Sequence, residues 1–248
     1  MGVIYILWLR ELKRYTRSRA QMIASLGQPV LYLLALGFGM GPVYAQAGHG
    51  SYLQFLAPGV IGMTVLFSSI FSGMGQLWDR QFGFLKETLV APVPRFAIML
   101  GRVAGGATTA MIQGAIVLII SLAFGFRPDN WLVVPEALGV MLLISLLFSA
   151  FGMVAGAKIT DMQAFPLLMN FIVMPLFFLS GAMFPLNGLP HAMLIVATVD
   201  PLSYGVDALR HLLIGTGHFG LPLDIAVLSG LTLVLLFLGS YFFSRMEV

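Results

Sequence analysis

The chain has no cysteine among its 248 residues. Disulfides, thiolate metal centres and cysteine nucleophiles are thereby excluded. Charge is nearly as scarce. Only 9% of residues are Asp, Glu, Lys or Arg, 59% are apolar, and mean hydropathy is +0.96. A soluble domain carries roughly 25% charged residues to keep its surface wet. With so little charge, lipid must stand in for water around most of the molecule. The net charge of +3 therefore says less about a nucleic-acid partner, which is not expected, than about where the positive residues fall along the chain.

Several chemistries lack their motifs. No Gly-x-x-x-x-Gly-Lys-Ser/Thr loop occurs, and none of Lys13, Lys86 and Lys158 follows such a glycine spacing, so a nucleotide-hydrolysing site of that kind is absent. His-Glu-x-x-His is missing as well. His49, His191, His211 and His218 all lie outside the long apolar runs, where polar interfacial roles suit them. Asp207 and His211 stand one helical turn apart and could share a cation, but no metal site and no catalytic residue is expected. Ser72-Gly73 lies in an apolar run with no histidine in any run to act as its base, which leaves an intramembrane serine protease without support. Ile6 occupies the position where a myristoylation signal needs Ser or Thr. Ala45-Gln46-Ala47 looks like a leader cleavage site, but the apolar run Met22–Met40 is too long for a leader core and is interrupted by Gln28-Pro29. It is read as a retained helix.

Six stretches are long and apolar enough to cross a bilayer, which takes about 20 residues at 1.5 Å rise each. They are 21–41, 53–76, 98–124, 132–157, 164–184 and 223–243. A barrel would alternate apolar and polar residues, and these runs do not. The expected fold is an all-α membrane protein of six transmembrane helices in a single domain, 1–248. With the N-terminus in the cytoplasm, the inside holds Arg10, Lys13, Arg14, Arg17, Arg19, Arg80, Lys86, Arg95, Arg102, Lys158 and Arg245, and the outside only Arg127 and Arg210. That 11 to 2 split of the 13 basic residues places both ends inside.

Four connecting segments carry information. In residues 1–20, Tyr5, Trp8, Leu9, Leu12 and Tyr15 recur at helical spacing while Arg10, Lys13, Arg14 and Arg17 fill most of the remaining surface. That pattern predicts an amphipathic helix in the cytoplasmic headgroup layer, with Trp8 in the interface and Arg10, Arg14 and Arg17 on anionic lipid. In the cytoplasmic segment 78–95, a short helix fits 79–90 and stops at Pro92 and Pro94. Its mixed faces could dock a partner, although an ordinary loop fits the composition equally. The turn 158–163 is too small to hold a domain. The external segment 184–222 is apolar but broken by Pro185, Pro190, Pro201 and Pro222. Two short stretches there, 190–198 and 202–214, predict a re-entrant or interfacial helix pair before the last span.

Three of these regions carry a resemblance. Gly83-Phe84-Leu85-Lys86-Glu87-Thr88-Leu89-Val90-Ala91-Pro92-Val93-Pro94-Arg95 is similar to the coupling-helix region of type-2 ABC transporter permeases. Leu179-Ser180-Gly181-Ala182-Met183-Phe184-Pro185 and Asp200-Pro201-Leu202-Ser203-Tyr204, running into Asp207-Ala208-Leu209-Arg210, resemble two further motifs of that family. Asp200 stands where the family more often has Asn, and Lys86-Glu87 shifts the charge pattern slightly. The likeness covers the whole chain and is greatest to the branch of daunorubicin-resistance and Nod-factor export permeases.

The resemblance implies a half-transporter of the bacterial or archaeal inner membrane: a permease homodimer with two copies of a separate ABC ATPase, which would hold the ATP and Mg. This chain would carry no cofactor and no enzyme activity of its own. Arg80, Leu85, Glu87 and Leu89 would couple to the ATPase, with the Arg10–Arg19 region flanking the contact, and the cargo would be a hydrophobic drug, lipid or glycolipid moving outward. The translocation path shows no charged wall in the sequence. Gln113 and Asn170 are the mid-span polar side chains that could line it, or could serve as interhelical hydrogen bonds. A path of Phe, Met and Leu suits an amphipathic cargo. Gly37-x-x-x-Gly41, Gly101-x-x-x-Gly105 and Gly152-x-x-x-Gly156 permit close helix packing. The alternatives are an ATPase-independent carrier or channel, which would want ionisable groups in the membrane, and a lipid-modifying enzyme, whose candidates would be Asp200, Asp207, His211 and Asp224.

Overall fold

Inside lipid a backbone must satisfy its own N–H and C=O groups, and an apolar run does so by becoming a helix. The computed structural model describes residues 2–46, 50–82, 93–159, 161–186 and 190–244, and its regular elements are helical, with no strand among the described residues. The helices are α1 Gly2–Arg17, α2 Arg19–Tyr32, α3 Gly41–Gln46, α4 Tyr52–Gln81, α5 Arg95–Ala123, α6 Val134–Lys158, α7 Ala164–Leu168, α8 Met174–Leu179, α9 His191–Val199, α10 Pro201–Ile214 and α11 Leu221–Ser244. Two π-helical turns interrupt them: Leu33–Phe38 continues α2, and Met169–Val173 joins α7 to α8.

Four helices are long and apolar enough to cross a membrane, and the number rises to six if each of two bent pairs counts as one span. The chain is thus a multi-pass membrane protein with four to six candidate spans. The stretches 53–76, 98–124, 132–157 and 223–243 each coincide with one long helix. The two other expected runs take different forms. Residues 21–41 begin in α2, pass through the first π turn and lose helical form at Met40, while α1 and the following helix meet at 72°. Residues 164–184 are helical only over Ala164–Leu179. Pro175 provides no N–H to the Phe171 carbonyl, and the second π turn lies where that bond is missing. Beyond Leu179 the chain turns at Gly181, whose φ of 75° is left-handed.

The centre is a packet of α4, α5 and α6, with α11 against α6 and α10 against α4. Backbones touch where α4 crosses α6. A Cβ placed on Gly73 would meet the Gly152 carbonyl, and one on Gly152 would lie 2.8 Å from the Ile70 carbonyl oxygen. Around this crossing Ile61, Val65, Leu66, Ile70, Ile144 and Leu147 are buried. The predicted helix pair 190–198 and 202–214 is found as α9 and α10, bent by 89°. Local chemistry sets its boundaries. Asp200 caps α10 by accepting from the Leu202 amide at 2.8 Å, Pro201 occupies the first turn, and Gly215 ends the helix at φ 64°.

A backbone-on-backbone crossing has no flexible atom to yield. Gly73→Val is expected to lower stability by about 3 kcal/mol, the upper part of the overpacking range. Gly139→Val, with nothing within 4 Å of its added Cβ, should change it by less than about 0.5 kcal/mol. Thermal unfolding of the two purified variants, followed by circular dichroism, checks the contrast.

Candidate functional site: a polar cavity between an ion network and an outer clasp

The N-terminal helix is seated by two small residues. A Cβ on Gly101 would lie 2.9 Å from Leu7 Cβ and 3.0 Å from the Ile4 carbonyl oxygen, and one on Gly105 would lie 2.6 Å from Glu11 Cβ. The Gly101-x-x-x-Gly105 spacing therefore forms the groove that takes α1 onto α5. Leu7 is buried in this contact, and Trp8 Nε1 donates to Thr108 Oγ1 at 2.9 Å.

This docking brings the charges of three helices together. Arg10 Nη2 on α1 and Arg102 Nη2 on α5 both donate to Asp79 Oδ2 on α4, each at 2.7 Å. Glu11 lies 3.4 Å from Arg10 and 3.0 Å from Arg14. The Arg102 side chain is only 5% exposed. A guanidinium taken out of water costs several kcal/mol unless a counter-charge and hydrogen bonds accompany it, and Asp79 provides both. Asp79 stands in the last turn of α4, shortly before residues 83–92 in the chain.

Behind this network lies a cavity of about 350 Å³ between α1, α2, α4 and α5. Its walls carry Tyr15, Ser25, Gln28, Thr64, Ser68, Ser72, Thr109 and Gln113, with Phe67 and Phe71 among the apolar lining and Glu11 and Arg14 at one end. Gln113 is buried and its Nε2 donates to Ser25 Oγ at 3.0 Å. The hydroxyls bond their own helices. Ser25 donates to the Met22 carbonyl, Thr64 to Val60, Ser72 to Ser69 and Thr109 to Gly106, at 2.9, 2.8, 2.6 and 2.8 Å.

On the opposite side of the packet, two of the motifs join. Buried Arg210 donates through Nη2 to the Ala182 carbonyl at 2.9 Å and through Nε to the Phe55 carbonyl at 3.4 Å, with Cζ 3.8 Å from the centre of the Phe55 ring. The Tyr52 hydroxyl donates to the Met183 carbonyl at 3.0 Å. The turn 180–183 is thus clasped to α4 and α10. Asp207 is engaged elsewhere: its carboxylate accepts from the His218 and Phe219 amides at 2.7–2.9 Å. It holds the loop that follows α10, and no group of three metal-ligating side chains occurs among the described residues.

Of the residues singled out in the sequence, Leu85, Glu87 and Leu89 lie outside the described residues, and Arg80 is described only as backbone near the end of α4. Residues 79–81 continue α4 rather than opening a new helix. Trp8, Arg10 and Arg14 are engaged with α5, Asp79 and Glu11, and Arg17 is exposed. Gln113 is in the cavity wall. Asn170 is not brought to it: it sits exposed in the second π turn beside exposed Leu167 and Phe171. The cavity wall carries eight polar side chains beside its apolar lining and the Glu11–Arg14 pair. Its hydroxyls escaped notice because Ser and Thr are ordinary residues in apolar helices, bonded to their own carbonyls. Arg102 did carry a signal, as an isolated cation within an otherwise apolar helix.

Asp79→Ala strands Arg102, so a loss of about 3–5 kcal/mol is expected. Asp79→Ala combined with Arg102→Leu should regain most of it. Denaturant unfolding in mixed micelles measures both.

The family comparison covers all these features. The model of the ABC-2 type transporter family matches residues 2–214. Nodulation protein J of Rhizobium leguminosarum bv. trifolii is 30% identical over 215 residues, 85% of this chain and 78% of that protein. Nodulation protein J of Rhizobium meliloti (strain 1021) is 27% identical over 241 residues, covering 96% of this chain and 91% of its own. The inner membrane transport permease YadH of Escherichia coli (strain K12) is 28% identical over 225 residues, 90% and 87% of the two chains. With a match over most of its length, and with the 179–185 and 200–210 motifs joined in the fold by Arg210 and the Ala182 carbonyl, the chain belongs to the ABC-2 type transporter family of membrane transport permeases.

Proposed function

We propose that the chain is the membrane-spanning subunit of an ATP-driven exporter, working as a homodimer with two copies of a separate ATPase and moving an amphipathic drug, lipid or glycolipid outward from the cytoplasm or inner leaflet. In this reading six spans place both termini in the cytoplasm, as the distribution of basic residues favours, and residues 78–95 receive the ATPase. The observation that carries the proposal is the Asp79 node. The helix that leads into the cytoplasmic segment is ionically tied to α1 and α5, both of which wall the inner cavity. A displacement of that segment by nucleotide binding would bear directly on the cavity. ATP can bias the inward- and outward-open states only through contacts that differ between them, and this node is placed to differ.

The face where the second copy would sit is marked by what α2 and α7–α8 leave uncovered. Ile23, Leu31 and Phe38 on one, and Leu167, Phe171 and Phe178 on the other, are exposed, and polar Gln28 and Asn170 lie among them. Each of these helices contains a π turn, a geometry that recurs at functional sites. An amide side chain facing hydrocarbon is unfavourable, whereas one facing a cargo path or a partner helix is not.

Replacing Leu85 and Glu87 together by alanine should reduce ATPase activity of the reconstituted complex at least tenfold while the permease still folds. Unchanged assembly and ATP-dependent transport in that variant would remove the docking role. For Asn170→Ala, an altered transport rate or cargo preference is expected with unchanged thermal stability. A variant with the parent's transport rate and cargo preference would remove Asn170 from the cargo path.

A further inference from the structure

The inner cavity has a hydrogen-bonding character that the exporter reading does not require. Ser25, Thr64, Ser72 and Thr109 each donate their single hydroxyl proton to a carbonyl one turn back on their own helix. A hydroxyl has one proton and two lone pairs. With the proton committed to the helix, what these side chains retain for the cavity is acceptor capacity. Ser25 spends part of it on Gln113, fixing that amide in the wall. Tyr15 is 7% exposed, and its hydroxyl lies near Gln113 yet has no hydrogen-bond partner in the protein. An unpaired polar atom in a buried site costs free energy that a ligand or water would recover.

The two charged side chains of the wall, Glu11 and Arg14, are paired with each other at 3.0 Å, and Arg10 also reaches Glu11 at 3.4 Å, so a cation entering would shed its hydration without gaining a free counter-ion, and an anion would find a single guanidinium already engaged by a carboxylate. A neutral group rich in O–H or N–H donors meets neither penalty. Phe67 and Phe71 line the same space, and Phe71 and Gln28 are exposed at its margin on the α2 side. An acyl or alkyl tail can leave there along the apolar face of α2. A space of about 350 Å³ is within the range of small-molecule sites.

We propose that this cavity is the subsite for the uncharged, hydrogen-bond-donating head of an amphiphilic cargo, held inside each protomer while the tail lies along α2. The proposal rests on the exporter reading and adds to it a cargo chemistry and a place. The same head chemistry could belong to a resident membrane lipid, so occupancy must also respond to ATP.

The test uses the chain with its ATPase in phosphatidylcholine nanodiscs and a diazirine-bearing dodecyl maltoside as the photolabel. Three competitors share the dodecyl tail: dodecyl maltoside, the donor-free dodecyl dimethylamine N-oxide, and the dodecyl trimethylammonium cation. The expected result is labelling of α2, α4 and α5 within the cavity, suppressed at least tenfold more effectively by the maltoside than by either other head. Gln113→Leu with Thr64→Val should lower labelling at least fivefold at unchanged melting temperature, and Gln113→Asn alone should retain most of it. ATP should reduce occupancy. Labelling confined to the lipid-facing surface, or equal competition by all three heads, overturns the subsite. Full occupancy despite measured ATP hydrolysis assigns the site to a resident lipid and overturns the cargo role, while the exporter reading survives. Failure of any ATPase to associate with the permease strikes the exporter reading instead, since cavity labelling is read on the permease itself.

Discussion

A guanidinium enclosed by apolar helices must have an anion within reach, and for Arg102 that anion is Asp79. The rest of that end of the helix packet is arranged by this requirement. Asp79 also takes Arg10, so a single carboxylate oxygen ties the end of α4 to α5 and to the N-terminal helix. Glu11 adds a second carboxylate from within α1, paired with Arg10 and Arg14. Ion pairs tolerate small displacements better than interlocked backbones do, because Coulomb attraction falls gradually with distance. A joint made this way can hold three helices in register and still shift.

The other structured regions are built on stiffer terms. At the α4–α6 crossing the backbones are in contact, and packed interiors at that density do not deform continuously. At the outer clasp, Arg210 and Tyr52 bond main-chain carbonyls of the turn after α8, which gives that turn one conformation. The molecule thus has a rigid centre, a rigid clasp at one end and an ionic joint at the other. The hydroxyl-lined cavity opens on the side of the ionic joint, next to α2. Motion transmitted through Asp79 would therefore be taken up by the cavity wall before the central crossing.

The spans were legible because lipid imposes a single demand, long apolar runs, and α4, α5, α6 and α11 meet it without interruption. The turns of α9 and α10 were legible as well, since Pro190 and Pro201 fix φ locally and Gly215 admits the left-handed φ of 64° that ends α10. What could not be read was whatever depends on distance in space. Asp79 and Arg102 are 23 residues apart and Arg10 and Asp79 are 69 apart, and nothing in the spacing announces that they meet. The basic face of α1 was expected to rest on lipid, yet Arg10 turns to Asp79 because α5 provides glycines at 101 and 105 and draws the helix inward. The cavity was equally hidden. Its Ser and Thr residues lie on three helices, and only Gln113, too polar for an apolar run, drew attention to it.

The central claim of the proposal is that force enters this permease through the segment that follows Asp79. Because the natural chain has no cysteine, a single Glu87→Cys substitution gives a unique reporter. Membrane-impermeant maleimide should label it only from the cytoplasmic side, and a short bifunctional linker should join it to the ATPase subunit in a nucleotide-sensitive manner. Labelling from the outer face, or a cross-link yield to the ATPase no higher than from a cysteine placed at Gly139, would contradict the account.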